Sequence, residues 1–415
     1  MLAPLIAAIE AQMGATPPER IGVAVSGGGD SIALMAALVH YCRDASVELH
    51  VITVDHGLRE EAKNEIALVT DLCARWNLPH HVEYWTGWDG QGNLQAIARD
   101  ARYEIMADWA YANRIGCIAL GHTADDQAET FIMRLARGSG VDGLSAMAAR
   151  RVHHGITWVR PFLEIERTAL RQYLQAAGIN WCEDPSNDSR EFERVRVRDA
   201  LTILGTLGLR TETLVEVSQH MSRAREALDW QTFLAAQEMA QVIHGVISID
   251  LAKFRLLPQE TARRLMVHTL NWTSQHVYPP RKDPVARAIA AVRTGQTATL
   301  DGCQVSVENG MIWVFRELNA VKDTVSEVGD MWDDRWLITG PEDDPELEVR
   351  VLGYEALSGI EGWRDIGLPR AALAASPAVW YNDQLVAAPF VGLDDEWTVE
   401  LDGGKDAFFA ALLSH

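Results

Sequence analysis

The 415-residue chain has little that would anchor or staple it. Its five cysteines (Cys42, Cys73, Cys117, Cys182 and Cys303) lie far apart, with no Cys-X-X-Cys and no other short ligand spacing. Neither a disulfide framework nor a zinc site is expected, and the five read as free thiols of a reducing cytoplasm. No apolar run is long enough to span a bilayer, so no membrane association is expected. Residues 1–13 show a helical apolar pattern with one acid and no basic start, which fits neither a secretory signal nor a transit peptide. Internal repeats and low-complexity tracts are missing too.

Positive charge is scarce: 37 Lys and Arg face 58 Asp and Glu, for a net charge of -21. At face value that argues against a nucleic-acid partner, because phosphate binding is driven by basic surface and counterion release. The distribution changes the reading. Residues 320–415 hold 6 basic and 20 acidic side chains, a net of -14, which leaves -7 for everything before them. Residues 253–293 carry 8 basic side chains, Arg263 and Arg264 among them, against only Glu260 and Asp283. One local basic face inside an acidic chain suits a nucleic-acid footprint, although a solvated helical face would have the same charge.

What is present begins with 48% hydrophobic residues, ample for sizeable cores, on a chain long enough for two or three domains. An apolar run over 21–25 ends in Ser26-Gly27-Gly28-Gly29-Asp30-Ser31 and opens a helix at about Ile32. Glycines let the backbone approach an anion closely, and the free N–H groups of the helix start point at one concave spot. No lysine follows, so this is not a Walker loop. Strand and helix patterns then alternate: strand 49–54 ending in Asp55-His56, helix 63–76, strand 81–85, helix 94–113, strand 117–120. That alternation predicts a doubly wound parallel α/β sheet whose ligand crevice lies at the carboxyl ends of its strands.

Gly121, His122, Asp126 and Glu129 follow the fourth strand, and the two acids share one helix face. Close carboxylates can hold Mg²⁺ or an ammonium group, since either neutralises their repulsion. An acidic first turn that merely complements the helix dipole is the plainer alternative. Arg99 and Arg102 also share a helix face, where guanidinium groups could meet phosphate. Arg194, Arg196 and Arg198 alternate, a spacing that serves an anion better from an extended or loop segment than from a helix, where they would splay. His80-His81 and His153-His154 lack partner cysteines, and metal is not expected at either pair. The tryptophans are assigned mainly to packing.

The run Ser26 to Ser31 resembles the SGGxDS loop of the ATP pyrophosphatase (PP-loop) superfamily, whose members grip the terminal pyrophosphate of ATP and leave the α-phosphorus open to attack. Together with VDHGLR (54–59), NLQAIARDARY (93–103), GHTADDQAET (121–130), RPFL (160–163) and EDPSND (183–188), it resembles the tRNA(Ile)-lysidine synthase family in order across the first domain. The resemblance implies ATP and Mg²⁺ as cofactors, and an isoleucine tRNA, presented by its anticodon loop, and L-lysine as partners. The wobble cytidine's ring carbonyl would be adenylated, and the lysine side-chain amine would then displace AMP. Residues and resemblance together assign ATP contacts to Ser26, Gly27, Gly28, Gly29, Asp30, Ser31, Asp55, His56, Gly121 and His122. Catalytic roles fall to Asp30, Asp126, Glu129 and Arg196, metal binding to Asp30 and Asp126, lysine recognition to Asp126 and Glu129. Transfer-RNA contacts are expected from Arg194, Arg198, Arg263 and Arg264. The family usually shows an RNRIR-like run where this chain has Arg194-Val195-Arg196-Val197-Arg198, so no role is carried over for the missing asparagine.

Three domains are expected: a PP-loop catalytic domain over 1–208, a helical arm (211 to about 243) and small basic domain over 209–318, and a small acidic β-rich domain over 319–415. The assembly is left open between monomer and homodimer. Two rivals remain. A tRNA thiolase of the same superfamily would need sulfur-carrying or cluster-binding cysteines, which the missing Cys-X-X-Cys disfavours. A non-catalytic, nucleotide-responsive tRNA-binding protein would release no AMP.

Overall fold

The computed structural model describes residues 1–55, 57, 62–85, 94–183, 193–276, 279–341, 345–394 and 396–413. The chain divides into two compact units, Met1–Arg225 and Glu226–Ser414.

The first unit runs α1 (Leu2–Met13), β1 (Arg20–Ala24), α2 (Gly29–Ala45), β2 (Glu48–Asp55), α3 (Ala62–Trp76), β3 (His80–Tyr84), α4 (Leu94–Ala112), β4 (Cys117–Leu120), α5 (Ala124–Ala136) and α6 (Val141–Leu144). It continues with the hairpin β5 (Arg150–His153) and β6 (Ile156–Val159), then α7 (Arg167–Ala177) and α8 (Glu193–Gly205). Helix α9 (Thr211–Met239) contains the division between the units. The sheet order is β3-β2-β1-β4-β6-β5, parallel except for the β5–β6 pair. The chain moves outward from β1 through β2 and β3, then returns to place β4 on the other side of β1. The carboxyl ends of β1 and β4 therefore flank the switch point, where such sheets bind ligands.

Strand alternation sends Ile21 and Val23 to one face, where they join Leu5 and Ile9 of α1, Ile32 to Leu38 of α2 and Leu170 and Leu174 of α7 in one core. Ala24 joins the other face, with Met106, Trp109 and Ala110 of α4 and Trp158 of β6. Both faces of the sheet are covered, which is why its strands read as continuous apolar runs.

In the second unit, β7 (Ala240–Ile243), β8 (Val246–Asp250), β9 (Ala298–Leu300), β10 (Cys303–Glu308) and β11 (Met311–Arg316) form an antiparallel sheet ordered β7-β8-β11-β10-β9. Apolar residues of α11 (Gln259–Ser274) and α12 (Lys282–Arg293) pack on Ile247, Ile249, Val305 and Val314; α10 (Leu251–Leu256) adds Phe254. Trp313 and Phe315 enter a different core with Leu357, Leu373 and Val391, so the basic middle region and the acidic C-terminal region share buried surface within one unit. A four-stranded and a three-stranded antiparallel sheet complete the C-terminal region. No helix among the described residues is long and apolar enough to cross a membrane, and all five cysteines are free.

Candidate active site

Helix α2 begins at Gly29, with Gly28 as its N-cap, so Asp30 stands in the first turn. The Ser31 hydroxyl donates to the Gly28 carbonyl at 2.9 Å and accepts from the Ser26 amide at 3.2 Å, folding the loop back over the helix start. Gly27 has φ +86°, and a Cβ there would lie 2.8 Å from Glu65 Cβ; only glycine suits both conditions. A strap from the far end of the unit closes the other side: the Cys182 amide donates to the Gly27 carbonyl at 3.0 Å, and Trp181 lies beside Gly29.

A pocket of about 220 Å³ opens beside this loop, lined by Val25, Ile52, Val54, Asp55, Ile66 and Met106. Ser26, Glu65 and Arg102 are shared with a neighbouring cleft of about 470 Å³ that also takes in Gly28, Asp30, Gly121, His122, Asp126, Arg167, Arg171, Arg194 and Arg198. An apolar recess thus leads into a space walled by both signs of charge.

The cleft is organised by Arg167, the first residue of α7, which no motif in the sequence singles out. Its Nε donates to Asp30 Oδ2 at 3.0 Å and a terminal nitrogen donates to Asp126 Oδ1 at 3.2 Å; its other terminal nitrogen lies 3.9 Å from Glu129 Oε1. Asp125 also accepts the Arg167 backbone amide at 2.8 Å. A cation in a helix's first turn opposes the helix dipole, and that misplacement is its one signal in the sequence. Burial would pull the guanidinium down, but Asp126, Asp30 and Asp125 overcome it and hold Arg167 above its ordinary value. Burial pushes Asp30 up against the pull of Arg167. For Asp126 burial is outweighed by Arg167, His122 and the Thr123 hydrogen bonds, which keep its carboxyl below the usual range.

Asp126 is also part of a capping box: its Oδ2 accepts from the Thr123 amide at 2.8 Å and the Thr123 hydroxyl at 2.9 Å. Both of its oxygens are engaged, so the expectation that Asp126 ligates metal does not suit its placement. Asp30 differs. Its Oδ1 is buried and has no hydrogen-bond partner among the described residues, a fit for a cation that takes one carboxylate oxygen and completes its shell with phosphate and water. No cluster of three metal-ligating side chains is found among the described residues.

The alternating arginines lie on a helix, α8, which corrects the expectation of an extended or loop segment. At 100° per residue, positions 194 and 198 return to one face while 196 points away. Accordingly Arg194 and Arg198 line the cleft and Arg196 is exposed outside it, so the catalytic role expected for Arg196 is not supported by its position. The Arg198 Nε donates to Glu129 Oε1 at 2.5 Å. Burial pushes Glu129 up even so, and its second oxygen is buried without a hydrogen-bond partner among the described residues.

His122 is pushed down to about 3, first by burial and then by Arg160, Arg102 and Arg99, with Asp126 opposing; it is a neutral imidazole at the cleft wall. Asp55 ends β2 and accepts the Gly57 amide at 2.9 Å. His56, Leu58, Arg59, Asn93 and the run 184–188 lie outside the described residues. Of the two arginines expected to meet transfer RNA in the second unit, Arg264 is only 8% exposed and paired with Asp229 at 2.6 Å, a core ion pair rather than an RNA contact. Arg263 is held by both oxygens of Glu260, at 2.9 and 2.6 Å.

A glycine loop that leads from β1 into α2, with carboxylates on the helix that follows β4 at the switch point of a parallel sheet, defines a nucleotide-binding protein of the PP-loop class, and residues 3–204 match the model of the PP-loop domain. Over 411 residues, 99% of this chain and 98% of the relative, the sequence is 48% identical to the tRNA(Ile)-lysidine synthase of Ruegeria pomeroyi. The enzymes of the same name from Mesorhizobium japonicum and Wolbachia pipientis wMel are 34% identical over 86% of the chain and 81% of the relative, and 32% identical over 77% of each. The chain belongs to the tRNA(Ile)-lysidine synthase family.

Proposed function

We propose that this chain is an ATP-dependent ligase that converts the wobble cytidine of an isoleucine tRNA to lysidine. The observation that carries the reading is the join between the apolar pocket and the arginine-carboxylate cleft across Ser26, Glu65 and Arg102. The pocket suits a nucleoside, and the loop amides of the cleft suit the phosphates attached to it. In the first step the base carbonyl oxygen attacks the α-phosphorus of ATP, and the phosphoanhydride bond breaks to release pyrophosphate. In the second, the lysine side-chain nitrogen attacks the ring carbon and the carbonyl oxygen leaves within AMP. Splitting the reaction turns a poor leaving group into a good one.

The protein's own groups suit these steps. Loop amides and Arg102 hold phosphate. Neutral His122 can donate one hydrogen bond without adding charge to a site already crowded with arginines. Asp30 would hold Mg²⁺ through its unpartnered oxygen, and the metal would supply charge neutralisation for departing pyrophosphate. Glu129, with Asp126 behind it, is the partner for the lysine α-ammonium, through the carboxylate oxygen that Arg198 does not engage. Regions 209–318 and 319–415 serve to grip the tRNA body, and the enzyme acts in the cytoplasm.

The test is mass analysis of an isoleucine tRNA after incubation with the protein, ATP, Mg²⁺ and lysine. The expected product carries one added lysine less one water, at the wobble cytidine, with one AMP and one pyrophosphate released. Binding without AMP release would make the chain a tRNA-binding protein instead.

A further inference from the structure

A second cavity in the first unit, of about 360 Å³, is lined by Arg99, Arg134, Arg151, Arg160 and Arg225, with Asp142 the one acid at its wall. None of the five arginines makes an ion pair with a carboxylate among the described residues. Arg134 donates to the carbonyls of Gly143 (3.0 Å) and Ala146 (2.8 Å), Arg160 to the Ala148 carbonyl (2.8 Å) and the Tyr103 hydroxyl (3.3 Å), and Arg225 to the Ser145 hydroxyl (3.2 Å). Those contacts fix the side chains without neutralising them. Arg160 is only 5% exposed, and the Nε atoms of Arg160 and Arg225 are buried with no hydrogen-bond partner among the described residues. Unsatisfied buried donors on cations are costly, and an anion removes the cost. The crowding is felt: Arg134 is pushed below the usual guanidinium range by burial, then by Arg225, Arg99 and Arg137.

We infer that this five-arginine cavity binds a backbone phosphodiester of the RNA whose base enters the nucleotide cleft. Position supports that choice over free phosphate. Arg99 lines the cavity and Arg102 the cleft, and they are neighbours on α4, three residues apart and thus about 5–6 Å between Cβ atoms. Arg160, at the cavity wall, donates to the hydroxyl of Tyr103, which follows the cleft residue Arg102 on α4. A polynucleotide with one base in the cleft must pass its adjoining phosphates close by, whereas the pyrophosphate of ATP is already served by the glycine loop. Arginines from α4, α5, β5, the residue after β6, and α9 line this one cavity, a set of donors suited to forked contacts to phosphate oxygens.

The inference rests on the proposed RNA substrate, and its test separates the two. Arg151→Gln and Arg99→Gln remove exposed guanidinium groups that hold no other element in place. Binding of an unmodified anticodon stem-loop to the full chain is followed across a salt series without ATP, alongside ATP affinity and titration with inorganic phosphate. Each variant is expected to weaken RNA binding several-fold and to lower the slope of log K against log salt by about 0.7 for each phosphate left without its arginine, with ATP affinity and melting temperature unchanged. Unchanged RNA affinity and slope would overturn the inference. So would variants that lose inorganic phosphate binding but keep the RNA slope, since the cavity would then serve free phosphate. Should wild type bind the stem-loop with the expected variant effects yet make no lysidine, the cavity stands and the proposed reaction falls.

Discussion

Glu129 has two oxygens in different states: one accepts from Arg198 at 2.5 Å, the other is buried without a partner among the described residues. A carboxylate so placed can accept a further cation without rebuilding the site. Glu129→Gln should still permit adenylation but raise the lysine concentration needed for the second step roughly ten- to hundredfold, the equivalent of one charge-assisted contact worth about 1.5–3 kcal/mol. Lysine dependence measured on trapped adenylate decides it; a variant that fails at adenylation and uses lysine normally places Glu129 with ATP. His122 gives a second prediction. Its folded value is about 3 against 6.5 for the free side chain. Above pH 6.5 both states are neutral and the contribution is complete. As pH falls below 6.5 the unfolded chain takes up a proton that the folded chain refuses, so stability drops by up to about 1.4 kcal/mol per pH unit toward pH 3. His122→Gln should lose that slope. Comparing wild type with variant in urea unfolding at pH 7 and 5.5 cancels other groups, including His268, which burial pushes down to about 4; equal pH dependence in the two proteins would refute the assignment.

Among the elements, the meeting of β4 with α2 constrains the site through backbone atoms alone. A Cβ on Gly121 would lie 2.9 Å from Ser31 Cα and 3.0 Å from its amide nitrogen, both backbone atoms that cannot swing aside. Gly121→Ala should therefore cost about 1–3 kcal/mol and sharply weaken ATP binding, because the helix start that supplies the amides must shift. Gly29→Ala is the contrast: its Cβ would meet the Trp181 ring at 3.3 Å, and a side chain can yield. Calorimetric ATP titrations that rank the two variants the other way would dismiss the backbone argument. The same scale explains what is legible in the sequence. Continuous apolar runs mark β1, β2 and β4, and Asn309-Gly310, with positive φ at both residues, is the favoured pair for the two-residue turn between β10 and β11. His154-Gly155 and His244-Gly245 adopt the same two positive φ values in the β5–β6 and β7–β8 turns, but histidine carries no such signal. The β5–β6 hairpin is therefore silent in the sequence, and the helical pattern of α9 runs on without a break into residues that are β7. Arg194 and Arg198 stand out by their charge, yet their alternate spacing suggests an extended segment, because Val195, the apolar neighbour that buries one face of α8, fits the same alternation.

Across the whole molecule, charge is segregated and the basic region of the second unit is itself divided by burial. Composition counts its eight cations but cannot tell which of them the core consumes. Arg264 is consumed: it pairs with Asp229 at 2.6 Å and Glu260 at 3.0 Å. Arg281, Lys282 and Arg287 remain exposed around the start of α12, with no ion pair among the described residues. The two groups should therefore respond oppositely to charge reversal. Arg264→Glu places an acid beside two others in a nearly dry setting, where losing one partner of a buried pair costs about 3–5 kcal/mol, so the second unit should melt at markedly lower temperature whatever the salt. Arg281→Glu with Arg287→Glu should leave melting unchanged while weakening binding of full-length tRNA and reducing its salt slope by about 0.9 for each duplex phosphate no longer neutralised. A slope that stays at the wild-type value in the double variant would assign these exposed cations to solvation alone. Melting that falls in the double variant as far as in Arg264→Glu would show that burial does not separate the two groups.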